Sequence, residues 1–141
     1  MQIPNGGSVI VDLKSGNVGI DSTHSIVISQ SNARIEAQDN REPYDWSFEV
    51  KVPGGGIQLK DGKFNFNAPE VGYSERFSKT LSKVSNDWAD SFIGEFFIRF
   101  ADGTYARIHL DMSTYQFIIR SSYLNPTGSR NLEYDPLKRI K

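Results

Sequence analysis

The chain has 141 residues, of which 38% are hydrophobic and 23% charged, and its formal net charge is −1. This length and composition predict a single domain over residues 1–141 with enough apolar residues for a buried core. The near-neutral charge argues against binding nucleic acid or an anionic membrane surface, and the short apolar runs argue against membrane insertion. The absence of cysteine excludes disulfides, thiolate metal sites and a cysteine nucleophile.

The first third of the chain predicts short β-strands separated by turns. Residues 8–13, 18–20, 24–29 and 33–37 are rich in apolar or β-branched side chains, and the polar stretches between them favour turns and loops. Residues 44–52 alternate most regularly, with a period of two that predicts a strand. The apolar face of that strand is formed by Tyr44, Trp46, Phe48, Val50 and Val52.

The middle of the chain combines glycine-rich loops with one ambiguous segment. Residues 53–56 predict a loop, because a phosphate-binding loop would need a helix after it and residues 57–59 favour a strand. An Asp61-Gly62 pair predicts a hairpin between residues 57–60 and 63–66. Residues 73–92 leave two alternatives open, a helix or a strand followed by a loop, because weak helix formers accompany helical spacing. The residues at helical spacing are Phe77, Leu81, Val84, Trp88 and Phe92.

Residues 95–111 carry the strongest hairpin signal, an Asp102-Gly103 pair between alternating apolar residues. A two-residue loop would pair Ala101 with Thr104 and mix apolar with polar side chains on each face. A three-residue loop pairs Phe100 with Thr104 and separates them, so we predict this register. Its inner face comprises Phe96, Ile98, Phe100, Ala106, Ile108 and Leu110.

The remaining residues complete a β-rich pattern. Residues 115–124 predict a third strand beside the hairpin, residues 125–131 a turn-dense loop, and residues 132–136 a last pairing segment. The whole pattern predicts a mainly β protein, an antiparallel, jelly-roll-like β-sandwich, with one short helix at residues 73–92 as the open alternative. A closed β-barrel with a small-ligand cavity is a further architecture that the pattern permits.

The sequence contains no motif that indicates catalysis or a cofactor. His24 and His109 lack metal-ligand spacing, and no Gly-x-Ser-x-Gly segment is present. Glu95 and Asp111 lie near one end of the hairpin, which we interpret as an acidic edge rather than a glycosidase pair. We therefore predict a non-catalytic protein without a cofactor. Calcium binding is left open for Asp87, Asp90, Asp102, Asp111 and Asp135, although turns are the ordinary place for aspartate.

The outer face of the predicted hairpin is the candidate ligand-binding site. The chosen register places on it Phe97, Arg99, Tyr105, Arg107 and His109. Arginine beside aromatic rings suits stacking on a sugar ring or clamping a carboxylate. The alternative is that this face is solvated, or covered by a second sheet or by residues 73–92.

Several motifs occur from Pro53 onward, at residues 53–57, 64–69, 72–73, 97–107 and 123–133. The most specific is Asn-Pro-Thr-Gly-Ser-Arg-Asn-Leu-Glu at residues 125–133. Together they resemble accessory domains in large secreted proteins of polysaccharide-degrading bacteria. The resemblance implies a secreted or cell-surface, carbohydrate-binding-module-like β-sandwich with a polysaccharide or glycan partner and neighbouring domains in a larger chain. The alternative function is a structural spacer or protein-interaction domain.

Overall fold

The structure is a computed structural model that describes residues 3, 6–19, 21–32, 45–60, 67–81, 91–113, 116–125, 127–130 and 132. Within these residues the regular elements are all β-strands, and no helix is long and apolar enough to cross a membrane. The strands in chain order are β1 (Ser8–Asp12), β2 (Ser25–Asn32), β3 (Trp46–Lys51), β4 (Gly56–Leu59), β5 (Arg76–Leu81), β6 (Ser91–Arg99), β7 (Tyr105–Ser113) and β8 (Phe117–Asn125).

The strands form two four-stranded sheets that pack against each other. Sheet 1 has the order β1-β2-β3-β5 and sheet 2 the order β4-β6-β7-β8. Every pairing is antiparallel. The chain crosses to sheet 2 for β4, returns to sheet 1 for β5, and then completes sheet 2 as the β6–β8 meander. This arrangement confirms the predicted mainly β, antiparallel sandwich.

The main core lies between the sheets and follows the predicted alternation. Trp46, Phe48 and Val50 of β3 face inward and are at most 2% exposed. They pack with Phe96 and Ile98 of β6, both 0% exposed, in one continuous cluster. Burial of large aromatic side chains from both sheets supplies the main driving force for their association.

Residues 73–92 do not form a helix in the part of the segment that the structure describes. Phe77 and Leu81 lie on β5 of sheet 1, whereas Phe92 lies on β6 of sheet 2. Residues 82–90 fall outside the described residues. Phe77 and Phe92 still meet, with ring centroids 6.2 Å apart, because they face each other across the sandwich. Their helical spacing therefore comes from two strands that contribute to one core, and the strand alternative is correct.

Other predicted segments are confirmed only in part. Of the strand predicted at residues 18–20, Val18 forms an isolated bridge to Val11, and Ile20 lies outside the described residues. β4 forms as predicted but pairs with β6, and the second arm of its predicted hairpin, residues 63–66, lies outside the described residues. The same holds for the strand predicted at residues 33–37.

The central hairpin has the predicted three-residue loop. The Phe100 amide donates to the Thr104 carbonyl at 2.8 Å, and Gly103 adopts a φ of 85° that favours glycine. Phe96 lies opposite Ile108 across the β6–β7 ladder. The predicted apolar face is therefore buried in the main core. The predicted third strand is also present, as β8 beside β7.

A side-chain hydrogen bond connects this hairpin loop to sheet 1. His24, in the turn before β2, places Nε2 2.8 Å from Asp102 Oδ2, and its ring packs edge-on against Phe100 with centroids 5.1 Å apart. Asp102 Oδ1 also accepts hydrogen bonds from the amide and hydroxyl of Thr104. The bonds from Thr104, and then those from His24, lower the pKa of Asp102 to about 2.

Candidate functional site

The candidate side chains share the outer face of sheet 2, as the predicted register requires. Phe97 lies opposite Arg107 on the β6–β7 ladder, and Arg99 lies opposite Tyr105. His109, the remaining candidate, lies opposite Glu95 in the next row of the same face. Residues directly opposite each other on one face of an antiparallel pair are close enough to interact. Their shared position is confirmed, and their contact with a ligand stays a prediction.

Part of this face is covered by residues 67–74, a segment that we call the strap, together with Leu132. We call the strap and Leu132 the cover. Ala68 and Leu132, both 0% exposed, form a second apolar cluster with Phe97 and Tyr105. Phe97 is 1% exposed and Tyr105 8% exposed. These two rings are consequently not available for stacking on a ligand. For these two residues the covered alternative applies, because the strap, which includes Tyr73, and Leu132 lie over them.

The strap is attached to its surroundings by backbone and side-chain hydrogen bonds. The Ala68 amide donates to the Arg130 carbonyl at 2.8 Å, and the Arg130 guanidinium donates back to the Ala68 carbonyl at 3.2 Å. The Gln58 amide group of β4 donates to the Val71 carbonyl at 2.9 Å. The strap is therefore held both by β4 and by the segment that follows β8.

Arg107, on the outer face of β7, contacts the cover through Leu132. Its Nε donates to the Leu132 carbonyl at 2.7 Å, and its guanidinium carbon lies 5.9 Å from the centroid of the Tyr123 ring. A charged donor on a carbonyl of a fully buried residue is a strong contact, because losing it would leave the carbonyl without that partner. The structure thus gives this predicted ligand-binding residue a positioning role.

Gly56 explains how the strap approaches the sheet. A Cβ at Gly56 would overlap the Cβ of Tyr73, so the strap needs glycine here to cross β4 closely. The Tyr73 ring lies 6.1 Å from that of Tyr105, and its hydroxyl donates to the Pro69 carbonyl at 2.9 Å. Burial, reinforced by Tyr105, raises the pKa of Tyr73 to about 12, so the phenol stays neutral at ordinary pH.

Arg99 is the exposed member of the predicted site. On β6 it lies between Gly56 of β4 and Tyr105 of β7, and Tyr73 packs against both of these neighbours. Within the described part of the chain the guanidinium of Arg99 makes no hydrogen bond or ion pair. Arg130 lies on the other side of the strap, with its side chain 45% exposed.

We name Tyr73, Arg99 and Arg130 the arginine–tyrosine rim. The charges of both arginines lower the pKa of Tyr73, against the larger effect of burial. Arg130 also lies 3.4 Å from a carboxylate oxygen of Glu70. Sequence reasoning missed Tyr73 and Arg130, since neither lies in a periodic strand; the glycines at residues 54–56 were the available signal that another segment crosses there.

The other half of the outer face carries ion pairs. Lys60 Nζ lies 3.0 Å from Glu95 Oε2, with the Lys60 side chain only 1% exposed. Arg120 donates from two nitrogens to Asp111 Oδ2, at 2.7 and 3.2 Å. His109, half-buried, lies on β7 directly opposite Glu95, one row away from Asp111 on the same face. The two carboxylates that mark one end of the hairpin are thus each held by a cation.

Sheet 1 has a second polar surface that the sequence analysis did not single out. We name it the hydroxyl groove, a depression of about 330 Å³ on the outer face of the sheet. Its hydroxyl-bearing residues are Ser29, Ser31, Ser47, Ser78 and Thr80, with Glu49 among them. Serine or threonine at alternating positions of β2, β3 and β5 was the signal in the sequence. A polar outer face is the ordinary state of an antiparallel sheet, which makes this groove the weaker candidate.

The described residues contain no group of three or more His, Asp or Glu side chains that could hold a metal ion. Asp102 is bonded to Thr104 and His24, and Asp111 is bonded to Arg120. The other aspartates considered for calcium, Asp87, Asp90 and Asp135, lie outside the described residues.

Comparison with known proteins gives no match to a family model, to a curated protein or to a solved structure. The resemblance to accessory domains of secreted bacterial proteins stays a prediction.

Proposed function

We propose that the chain is a non-catalytic accessory module that binds a polysaccharide or another glycan at the arginine–tyrosine rim. The observation that carries this proposal is the exposed guanidinium of Arg99, which has no hydrogen bond in the described part of the chain and lies beside the half-buried Tyr73. A guanidinium offers a rigid set of donors to sugar oxygens, and a tyrosine ring offers an apolar face to a sugar ring.

The remaining predicted site residues support the rim from beneath. Phe97 and Tyr105 form the floor on which Tyr73 and the strap rest. Arg107 holds Leu132 over the same floor. A binding group held by packed neighbours loses less conformational freedom on binding, which favours affinity.

The ion pairs on the outer face agree with the interpretation of Glu95 and Asp111 as an acidic edge, because Lys60 and Arg120 pair with these two carboxylates. An accessory role in a larger secreted or cell-surface bacterial protein, next to other domains, is supported by the motif resemblance from Pro53 onward.

Affinity electrophoresis of the full chain through gels that contain different soluble polysaccharides tests this proposal. We expect at least one polymer to retard the wild-type chain and Arg99→Ala to lose most of that retardation. A Ser47→Ala/Thr80→Ala double variant in the hydroxyl groove is the matched control and should bind like the wild type. If only the groove variant loses binding, the site lies on sheet 1. If no polymer retards the wild type, the proposal is wrong.

A second candidate function is protein interaction through the outer face of sheet 2. Ile93 and Ile118 are 58% and 48% exposed and flank Asp111 in one row across three strands. Exposed apolar side chains grouped on one face of a sheet can form a contact surface. Light scattering of the wild type and of Ile93→Asp tests this hypothesis: a self-associated wild type that becomes monomeric in the variant would support it, and a monomer in both cases would exclude self-association.

A further inference from the structure

We infer that the arginine–tyrosine rim selects an anionic glycan, whose sugars carry carboxylate or sulfate groups, over a neutral one. This inference rests on the proposed glycan-binding function and specifies the chemical class of its ligand. It is carried by three features of the rim: the sign of its charge, the kind of hydrogen-bonding groups that it presents, and the accessibility of Arg99.

The charge of the rim is opposite to that of the chain. The whole chain has a formal net charge of −1, whereas the rim presents Arg99 and Arg130, and Arg107 lies beneath the same cover. In the described part of the chain, Glu70 pairs with Arg130 at 3.4 Å and is 73% exposed. Such an exposed pair is weak and screened. Glu70 therefore offsets part of the charge of Arg130, whereas Arg99 has no ion-pair partner among the described residues.

The hydrogen-bonding groups of the rim are mainly donors. Guanidinium groups donate and do not accept. The Tyr73 hydroxyl gives its proton to the Pro69 carbonyl, so toward a ligand its oxygen can only accept. A neutral sugar presents hydroxyls that both donate and accept, so it forms only ordinary hydrogen bonds with these groups. A carboxylate or sulfate only accepts, and it makes shorter and stronger charge-assisted bonds with a guanidinium.

The side chain of Arg99 is exposed, whereas its backbone is closely packed. A Cβ at Gly55 would overlap the carbonyl oxygen of Arg99, and a Cβ at Gly56 would overlap Tyr73. These glycines let the β3–β4 turn pack against the backbone of Arg99 and let the strap cross β4 beside it. The same close packing limits how far the backbone of Arg99 can move, which pre-positions the guanidinium for a ligand.

Two matched pairs of polymers test the charge preference on the full chain. The first pair is dextran sulfate and dextran, and the second is polygalacturonate and its methyl ester. We expect the chain to bind at least one anionic polymer about tenfold or more tightly than its neutral partner, which is the factor expected for one charge-assisted contact. Isothermal titration calorimetry or affinity electrophoresis measures the ratio. Preference for one anion over the other identifies sulfate or carboxylate as the recognised group.

Variants separate a specific site from diffuse attraction. Arg99→Gln should remove the preference, and Arg99→Lys should keep part of it as a point charge without the guanidinium geometry. Arg120→Gln is the control, because Arg120 is a 52% exposed arginine on the same face but already pairs with Asp111. Each variant should unfold at the same temperature as the wild type. A loss of binding can then be attributed to the lost side-chain contact and not to unfolding.

The outcomes separate this inference from the function on which it rests. Equal binding to charged and neutral partners, with loss in Arg99→Gln, overturns the anionic preference and leaves glycan binding in place. Equal losses in Arg99→Gln and Arg120→Gln show diffuse charge attraction and also overturn the inference. Absence of binding to every polymer in the pairs and in the wider panel overturns the proposed function itself.

Discussion

Replacing Arg107 by methionine should lower the free energy of unfolding by about 2–3 kcal/mol, because Arg107 holds the cover over the outer face of sheet 2. The hydrogen bond from Nε to the Leu132 carbonyl, at 2.7 Å, has a charged donor, and such a bond contributes about 1.5–3 kcal/mol. The guanidinium also lies 5.9 Å from the Tyr123 ring centroid, which adds about 0.5 kcal/mol at a partly exposed site. Methionine retains the apolar stem, so the loss reports mainly on the head group.

Urea unfolding, followed by the fluorescence of the buried Trp46, measures this loss as a shift of the midpoint at unchanged slope. Arg120→Met is the matched control, because this arginine is 52% exposed and pairs with Asp111; its loss should stay below about 1 kcal/mol. A value for Arg107→Met as small as that of the control would refute the anchoring role. Arg107 would then again be a candidate for direct contact with a ligand.

Three other changes test the hairpin, the covered face and the strap. Asp102→Asn should destabilise the chain by about 1 kcal/mol, a value reduced for the 39% exposure of the carboxylate. The pKa of Asp102 is about 2 in the folded chain and 3.8 for an unperturbed aspartate. In urea titrations the stability difference between wild type and variant should therefore be full above pH 3.8 and vanish as the pH falls to about 2. Phe97→Ala should cost about 3–5 kcal/mol, whereas Ile93→Ala, at a 58% exposed position, should cost under about 1 kcal/mol; similar thermal stabilities would contradict a covered Phe97. Gly56→Ala should cost about 1–3 kcal/mol, since its new methyl group overlaps Tyr73, and faster amide exchange in the strap should accompany this loss; an unchanged exchange pattern would contradict the close crossing.

The architecture of the central hairpin was predictable because its determinants are local. Asp102 and Gly103 define the turn, and alternation on both sides allows only one register that separates apolar from polar residues. The strand pairing of Phe96 with Ile108 follows from that choice. The inner face of β3, from Trp46 to Val50, was predictable for the same reason.

A covered outer face was one of the alternatives that the sequence left open, but the segments that form the cover were not predictable, because contacts between distant parts of the chain hold them together. Ala68 and Arg130, which hold it together, are 62 positions apart. Neither belongs to a strand with a regular apolar period, so alternation carries no information about them. The helical spacing of Phe77 and Phe92 suggested a helix for a related reason: the two residues belong to different sheets and contribute to one core.

The cover gives different environments to two arginines, Arg99 and Arg107, that the sequence pattern could not distinguish. Arg99 and Arg107 both occupy outward positions of the same hairpin, with aromatic neighbours on the same face. Arg107 lies where Leu132 closes the face, so its donor is used within the chain. Arg99 lies beside Gly56, where the strap crosses without covering the side chain. The two arginines should therefore contribute to different properties. Arg107→Met should lower the free energy of unfolding, whereas Arg99→Ala should leave the free energy of unfolding unchanged and weaken the binding of a glycan.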